Sequence, residues 1–222
     1  MPGPSVAAPR MVKAVLPAVD FVALADIAQR VRACQKCGLC ATRTNAVPGE
    51  GNGRARILLV GEAPGRNEDK TGRPFCGAAG KILDLALAEA RIDRDDAFVT
   101  SIVKCRPPGN RDPTPEEKAA CRPYLLEQVT ALQPRVLVAL GRHGLSGLQD
   151  EVAADFASLA GTFLPTPFGI PVFVSLHPAA VIYRQQWRPQ FLQHWRDFGD
   201  WMRGEGRPGF GPDLSLPPGQ GS

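Results

Sequence analysis

No stretch of this 222-residue chain approaches the roughly 18 to 20 unbroken apolar residues that a membrane-spanning helix requires, which excludes a helical membrane protein. The opening residues MPGPSVAAPR lack the charged segment and apolar core of an export signal, so a soluble cytoplasmic protein is expected. There is no internal repeat. Neither the G-x4-G-K-[ST] spacing of a P-loop nor the G-x-G-x-x-G of a dinucleotide site occurs, which excludes the two commonest phosphate cradles. A strong charge excess is missing too: the net charge of +4 and pI near 8.8 permit a polyanionic partner without establishing one.

What is present is cysteine. Six cysteines in a chain without an export signal are metal ligands or buried thiols rather than disulfides, because cytosolic thiols are kept reduced. The stretch ACQKCGLCATRTN places Cys34, Cys37 and Cys40 within seven positions, and Cys105 and Cys121 follow further on with fifteen residues between them. Four thiolates from two segments can hold zinc or an iron-sulfur cluster, and spacing alone separates these poorly. Plain core cysteines are the third option, since free Cys is among the most buried residue types.

Residues 1–18, rich in Pro and Ala, and residues 204–222, rich in Gly and Pro, are expected to be disordered tails around a domain spanning 19–203. Within it, FVALADIAQRVRAC has helical apolar spacing, with Asp20 as its expected cap. Thr114-Pro115-Glu116-Glu117 is a capping box opening a helix to about Leu132. Four apolar runs, ARILLV, AFVTSIV, RVLVALG and PVFVSLHP, alternate with helical segments. This predicts a three-layer α/β/α fold around a central, largely parallel four-stranded sheet, with ligands bound beyond the carboxyl ends of the strands.

At those ends stand Gly61-Glu62-Ala63-Pro64-Gly65, Lys104-Cys105-Arg106-Pro107-Pro108 and His177-Pro178-Ala179-Ala180, which should converge on one crevice. Glu62, in a turn stiffened by Pro64, is placed as a positioned acid or base would be; a surface loop of solvated charges is the plainer reading. Phe75 is either a core aromatic or a stacking platform. His177 can donate a hydrogen bond to a developing anion, whereas His143 and His194, in helical contexts, are assigned to structure.

GEAPGRNEDKTGRPF, VKCRPPGNRDPTPEEKAACRPYL, HPAAVIYR and the RTNAVPGEGN leader, in this order, closely resemble the iron-sulfur uracil-DNA glycosylases, family 4 of that superfamily, over residues 20–200. The resemblance implies that Cys34, Cys37, Cys105 and Cys121 ligate a [4Fe-4S] cluster, with Cys40 and Cys76 outside the set. It implies Glu62 and His177 as catalytic residues, the first on the hydrolytic water and the second on the uracil O2. Gly61, Glu62, Ala63, Phe75, Ser101 and His177 would bind the substrate, and residues 179–184 would enter the minor groove. Arg106, Arg111, Arg184 and Arg188 are expected to face DNA phosphates, and the enzyme is expected to act as a monomer.

One position departs from the family. Where relatives usually carry Asn to read the uracil amide edge stands Ser101, which cannot present an amide donor and acceptor side by side. A glycosylase for another deaminated base, hypoxanthine or xanthine, is therefore the nearest rival. A non-catalytic iron-sulfur DNA-binding protein is the rival of a different class. A related branch that bonds covalently to abasic DNA uses a histidine in a basic insertion, and GNRDPTPEE has none.

Overall fold

The computed structural model describes residues 21–53, 55–149, 152, 155–206, 210 and 211. Its strands are β1 (Glu50–Gly51), β2 (Ile57–Gly61), β3 (Ala97–Ser101), β4 (Val136–Leu140), β5 (Phe163–Leu164) and β6 (Val172–Ser175). The helices are α1 (Phe21–Arg32), α2 (Arg66–Thr71), α3 (Ala78–Glu89), α4 (Pro115–Leu132), α5 (Gly141–Ser146), α6 (Phe156–Leu159), α7 (Pro178–Tyr183) and α8 (Arg188–Arg203).

The four apolar runs form β3-β2-β4-β6, parallel and wholly buried, as strands covered on both faces must be. Alternation along β2 sends Ile57 and Leu59 toward a core built with Leu83 and Leu87 of α3 and Trp195 and Phe198 of α8. Leu58 and Val60 face Leu125, Val129 and Leu132 of α4 and Leu145 of α5. These are the three layers. The expected four-stranded sheet needs correction: it has six strands, ordered β1-β3-β2-β4-β6-β5, with β1 and β5 antiparallel at the edges. A two-residue strand is too short to show any alternation, so neither edge left a trace in the sequence pattern.

The capping box forms as expected. The Glu117 amide donates to Thr114 Oγ1 at 3.3 Å, and the Thr114 amide donates to Glu117 Oε2 at 2.8 Å, which contributes about 1 kcal/mol to α4. Helix α1 packs beside α4, where Ile27, Val31, Cys105, Cys121 and Tyr124 form a third cluster. Asp20 and the N-terminal tail lie outside the described residues, as does most of 204–222; within the latter, Phe210 sets its ring edge-on to Phe163, centroids 5.6 Å apart.

Candidate active site and cysteine cluster

The carboxyl ends of β2, β3 and β6 do meet, around a cavity of about 250 Å³ lined by Glu62, Ala63, Phe75, Ser101, Arg111 and His177, among others. Gly61 does not itself line the cavity but packs behind Phe75, where a Cβ would come within 2.8 Å of that ring. Phe75 has a left-handed backbone, φ 48°, unusual for an aromatic residue. Arg94 anchors the turn by donating to Pro74 O at 3.2 Å, and the Phe75 ring lies 6.0 Å from the His177 ring.

His177 closes β6 and caps α7. Its Nδ1 accepts the Ala179 amide at 3.1 Å, so in the neutral ring the proton sits on Nε2. Burial holds its pKa down at about 4, with His143 adding a smaller push, so the ring is a neutral donor at physiological pH. Glu62 moves the other way. Burial raises its carboxyl above the ordinary glutamate value, opposed by His143, reinforced by Asp112 and opposed again by Lys118. Its Oε1 is buried with no hydrogen-bond partner.

Cys34, Cys37, Cys105 and Cys121 line a second cavity with Val31, Leu39, Val103 and Tyr124. N–H groups point at the sulfurs: Arg43 Nη1 reaches Cys105 Sγ at 3.0 Å, the Lys104 amide reaches Cys121 Sγ at 3.3 Å, and the Lys36 amide reaches Cys34 Sγ at 3.5 Å. Burial pushes the Cys105 thiol up, opposed by Arg43, and the Cys121 thiol up to about 11, opposed by Lys104. Four thiols lining one cavity, three of whose sulfurs face N–H donors, make a donor set that suits a thiolate-bound metal centre. Cys40 also lines this cavity, so its exclusion from the ligand set rests on the resemblance alone.

The profile of the Uracil DNA glycosylase superfamily matches residues 48–199. The Type-4 uracil-DNA glycosylase of Archaeoglobus fulgidus is 42% identical over 183 residues, covering 80% of this chain and 92% of the relative. That of Saccharolobus solfataricus is 46% identical over 164 residues, covering 71% and 76%. This chain belongs to the uracil DNA glycosylase superfamily. It is also similar to the Type-5 uracil-DNA glycosylase of Pyrobaculum aerophilum, 34% identical over 148 residues, 60% of this chain and 65% of the relative.

Within this superfamily member the basic residues stand differently from one another. Arg184 stacks over Trp187 at 4.3 Å and Arg188 opens α8, both exposed. Arg106 donates to Asn110 Oδ1 at 2.7 Å, and Arg111 is committed to Glu117 at 2.7 Å, which neutralises its charge locally. The segment after His177 forms the short helix α7, and Tyr183 at its end is 86% exposed.

Two residues near the site were given no role by the sequence reading. Lys104, 1% exposed, donates through Nζ to Thr100 Oγ1 at 2.6 Å and to Ser101 O and Gln128 Oε1 at 2.7 Å each, and burial lowers its pKa to about 8. Its place inside the KCRPP motif was the available signal. His143, assigned to structure, instead stands beside Glu62 with Nδ1 3.7 Å from Oε1.

Proposed function

We infer that this protein is a DNA-repair glycosylase that hydrolyses the N-glycosidic bond of uracil in DNA and leaves an abasic site. One observation carries the chemistry: an acceptor carboxylate, Glu62, and a neutral imidazole donor, His177, line one cavity whose wall is the Phe75 ring. A glycosylase must take its base out of the duplex, and a cavity edged by an aromatic ring accepts a flipped pyrimidine. As the bond breaks, negative charge gathers on the uracil O2 and positive charge on the sugar. The Nε2–H of His177 stabilises the first as uracil leaves as an anion, and Glu62 orients the attacking water, takes its proton as the new C1′–O bond forms, and balances the second. No proton need leave His177, which is already neutral.

Cys34, Cys37, Cys105 and Cys121 would hold the [4Fe-4S] cluster. Bound there, the cluster supplies a structural tie rather than an electron-transfer step, because hydrolysis moves no electrons between groups. The enzyme acts as a monomer on DNA in the cytoplasm. No helix among the described residues is long and apolar enough to cross a membrane.

Single-turnover reactions on oligonucleotides, each carrying one deaminated base, test this function. Free uracil and an abasic strand are expected. Release of hypoxanthine or xanthine in preference to uracil would move the enzyme to another base, and no release of any base from folded, brown protein would leave a DNA-binding protein only. In the same panel Ser101→Asn should speed uracil excision about tenfold, equivalent to about 1.4 kcal/mol and near the upper worth of one buried hydrogen bond, while narrowing the base range. Ser101 is 6% exposed and its carbonyl is fixed by Lys104, so the longer side chain has a set starting point. Loss of uracil release on this substitution would mean that another residue reads the base edge.

Arg184 and Arg188 are assigned to phosphates. Each lost phosphate contact flattens the log-log salt slope by about 0.9, so a double alanine variant should flatten it by about 1.8. Filter-binding titrations between low and moderate salt measure this, and an unaltered slope removes that surface from the interface.

A further inference from the structure

Helix α5 is pressed against the end of β2. A Cβ on Gly144 would meet Val60 O at 2.3 Å, and one on Gly141, whose φ is +83°, would meet His177 Cβ at 2.8 Å. Only glycine allows either approach. Between these two contacts stands His143, so its position relative to Glu62 is set by backbone packing. Its Nδ1 lies 3.7 Å from Glu62 Oε1 and its Nε2 lies 3.5 Å from Asp112 Oδ2. Each ring nitrogen therefore has a carboxylate oxygen in ion-pair range. The three side chains bring their ligand-type atoms within 4.8 Å of one another.

We propose that His143, braced by Asp112, is a positioning residue that holds the Glu62 carboxylate in place against the cavity. The inference rests on Glu62 acting as the base. A carboxylate oxygen that is buried without a hydrogen bond has nothing else to fix its rotamer, and Glu62 Oε1 is such an atom. Besides each other, three charged or titratable groups bear on Glu62 and His143: Asp112 from the loop before α4, Lys118 from α4, and His177 from beyond β6. Glu68 and Arg111, also at the cavity, are held elsewhere, by the Gly65, Cys76 and Gly77 amides and by Glu117. His143 favours the ionised form of Glu62, and Asp112 disfavours it directly. The histidine thus both orients the carboxylate and offsets part of what burial does to it. Asp112 is 75% exposed, so its part is to brace the ring rather than to touch the reacting atoms.

The test is single-turnover excision by the full chain on a uracil oligonucleotide, followed across pH together with DNA affinity. His143→Gln should lower the maximal rate about tenfold, well short of the 10² to 10⁴ carried by a general base itself, and leave DNA affinity unchanged. Because Glu62 must be ionised to work, losing the histidine should move the acid limb of the rate profile to higher pH. Adding Asp112→Asn in that background should move the limb back down, since only the direct repulsion is then being removed. A purely structural role predicts neither opposite movement. An unmoved acid limb in His143→Gln, or a loss confined to DNA affinity, overturns the proposal. Asp112→Asn alone, at an exposed side chain, serves if His143→Gln does not fold: it should slow excision several-fold through the unbraced ring, and an unaltered rate overturns the bracing. Glu62→Gln separates the layers. Full activity there would overturn Glu62 as the base, whereas an inactive Glu62→Gln beside an unaffected His143→Gln overturns only the positioning role.

Discussion

Replacing His177 by alanine is expected to slow base release by about 10²- to 10³-fold with DNA binding intact, the usual cost of losing one donor aimed at transition-state charge. The size follows from how the ring is prepared. Its Nδ1 is occupied by the Ala179 amide, so the donor on Nε2 is fixed before substrate arrives. With its pKa held at about 4, the ring adds no limb to the rate profile between about pH 5 and 8. The same burial bears on stability. In the unfolded chain the ring takes up a proton near pH 6.5, and in the folded chain only near 4. Between those values the unfolded state binds more protons, so this contribution is full above about 6.5 and is lost as pH falls toward 4. A loss below about tenfold in single-turnover rate at saturating enzyme would be too small for a transition-state donor and would remove His177 from the role.

The second large effect is expected at Cys121. Cys121→Ala should yield a colourless protein, losing the absorption near about 400 nm and the roughly four iron atoms per chain that a thiolate-bound cluster brings. Cys40→Ala should leave both. Cys121 lies on α4 and is 9% exposed, and its sulfur accepts the Lys104 amide. Iron assay and visible absorption on anaerobically purified protein measure the outcome. A colourless wild-type preparation with stoichiometric zinc would sink the cluster assignment.

The interior of the fold was legible because parallel strands covered on both faces are unbroken apolar words: ILLV, AFV, VLVAL and VFV could hardly be anything else. The edges were not, since Glu50–Gly51 and Phe163–Leu164 are two residues each, and Glu50–Gly51 owes its pairing to a strand nearly fifty residues away in sequence, Glu50 opposite Val99. At the site, Glu62 and His177 could be placed because each follows the end of such a strand, whereas Ser101 was placed by the family resemblance alone. His143 could not, because GRHGLS is a single short turn of helix and its meaning lies in where Gly141 and Gly144 let it sit. Lys104 was hidden differently: a lysine reads as surface, and only the buried oxygens of Thr100, Ser101 and Gln128 make its burial tolerable.

Glu68 joins the two walls of the cavity. Its carboxylate accepts the Gly65 amide at 3.1 Å, the Cys76 amide at 3.1 Å and the Gly77 amide at 3.0 Å, which ties the turn after Glu62 to the turn that carries Phe75. Those backbone segments therefore lose their freedom when the chain folds, not when the base enters. Preorganisation of this kind spares the incoming nucleotide an ordering cost that flexible walls would levy at every turnover, and it leaves more of the binding free energy to offset the loss of stacking in the duplex.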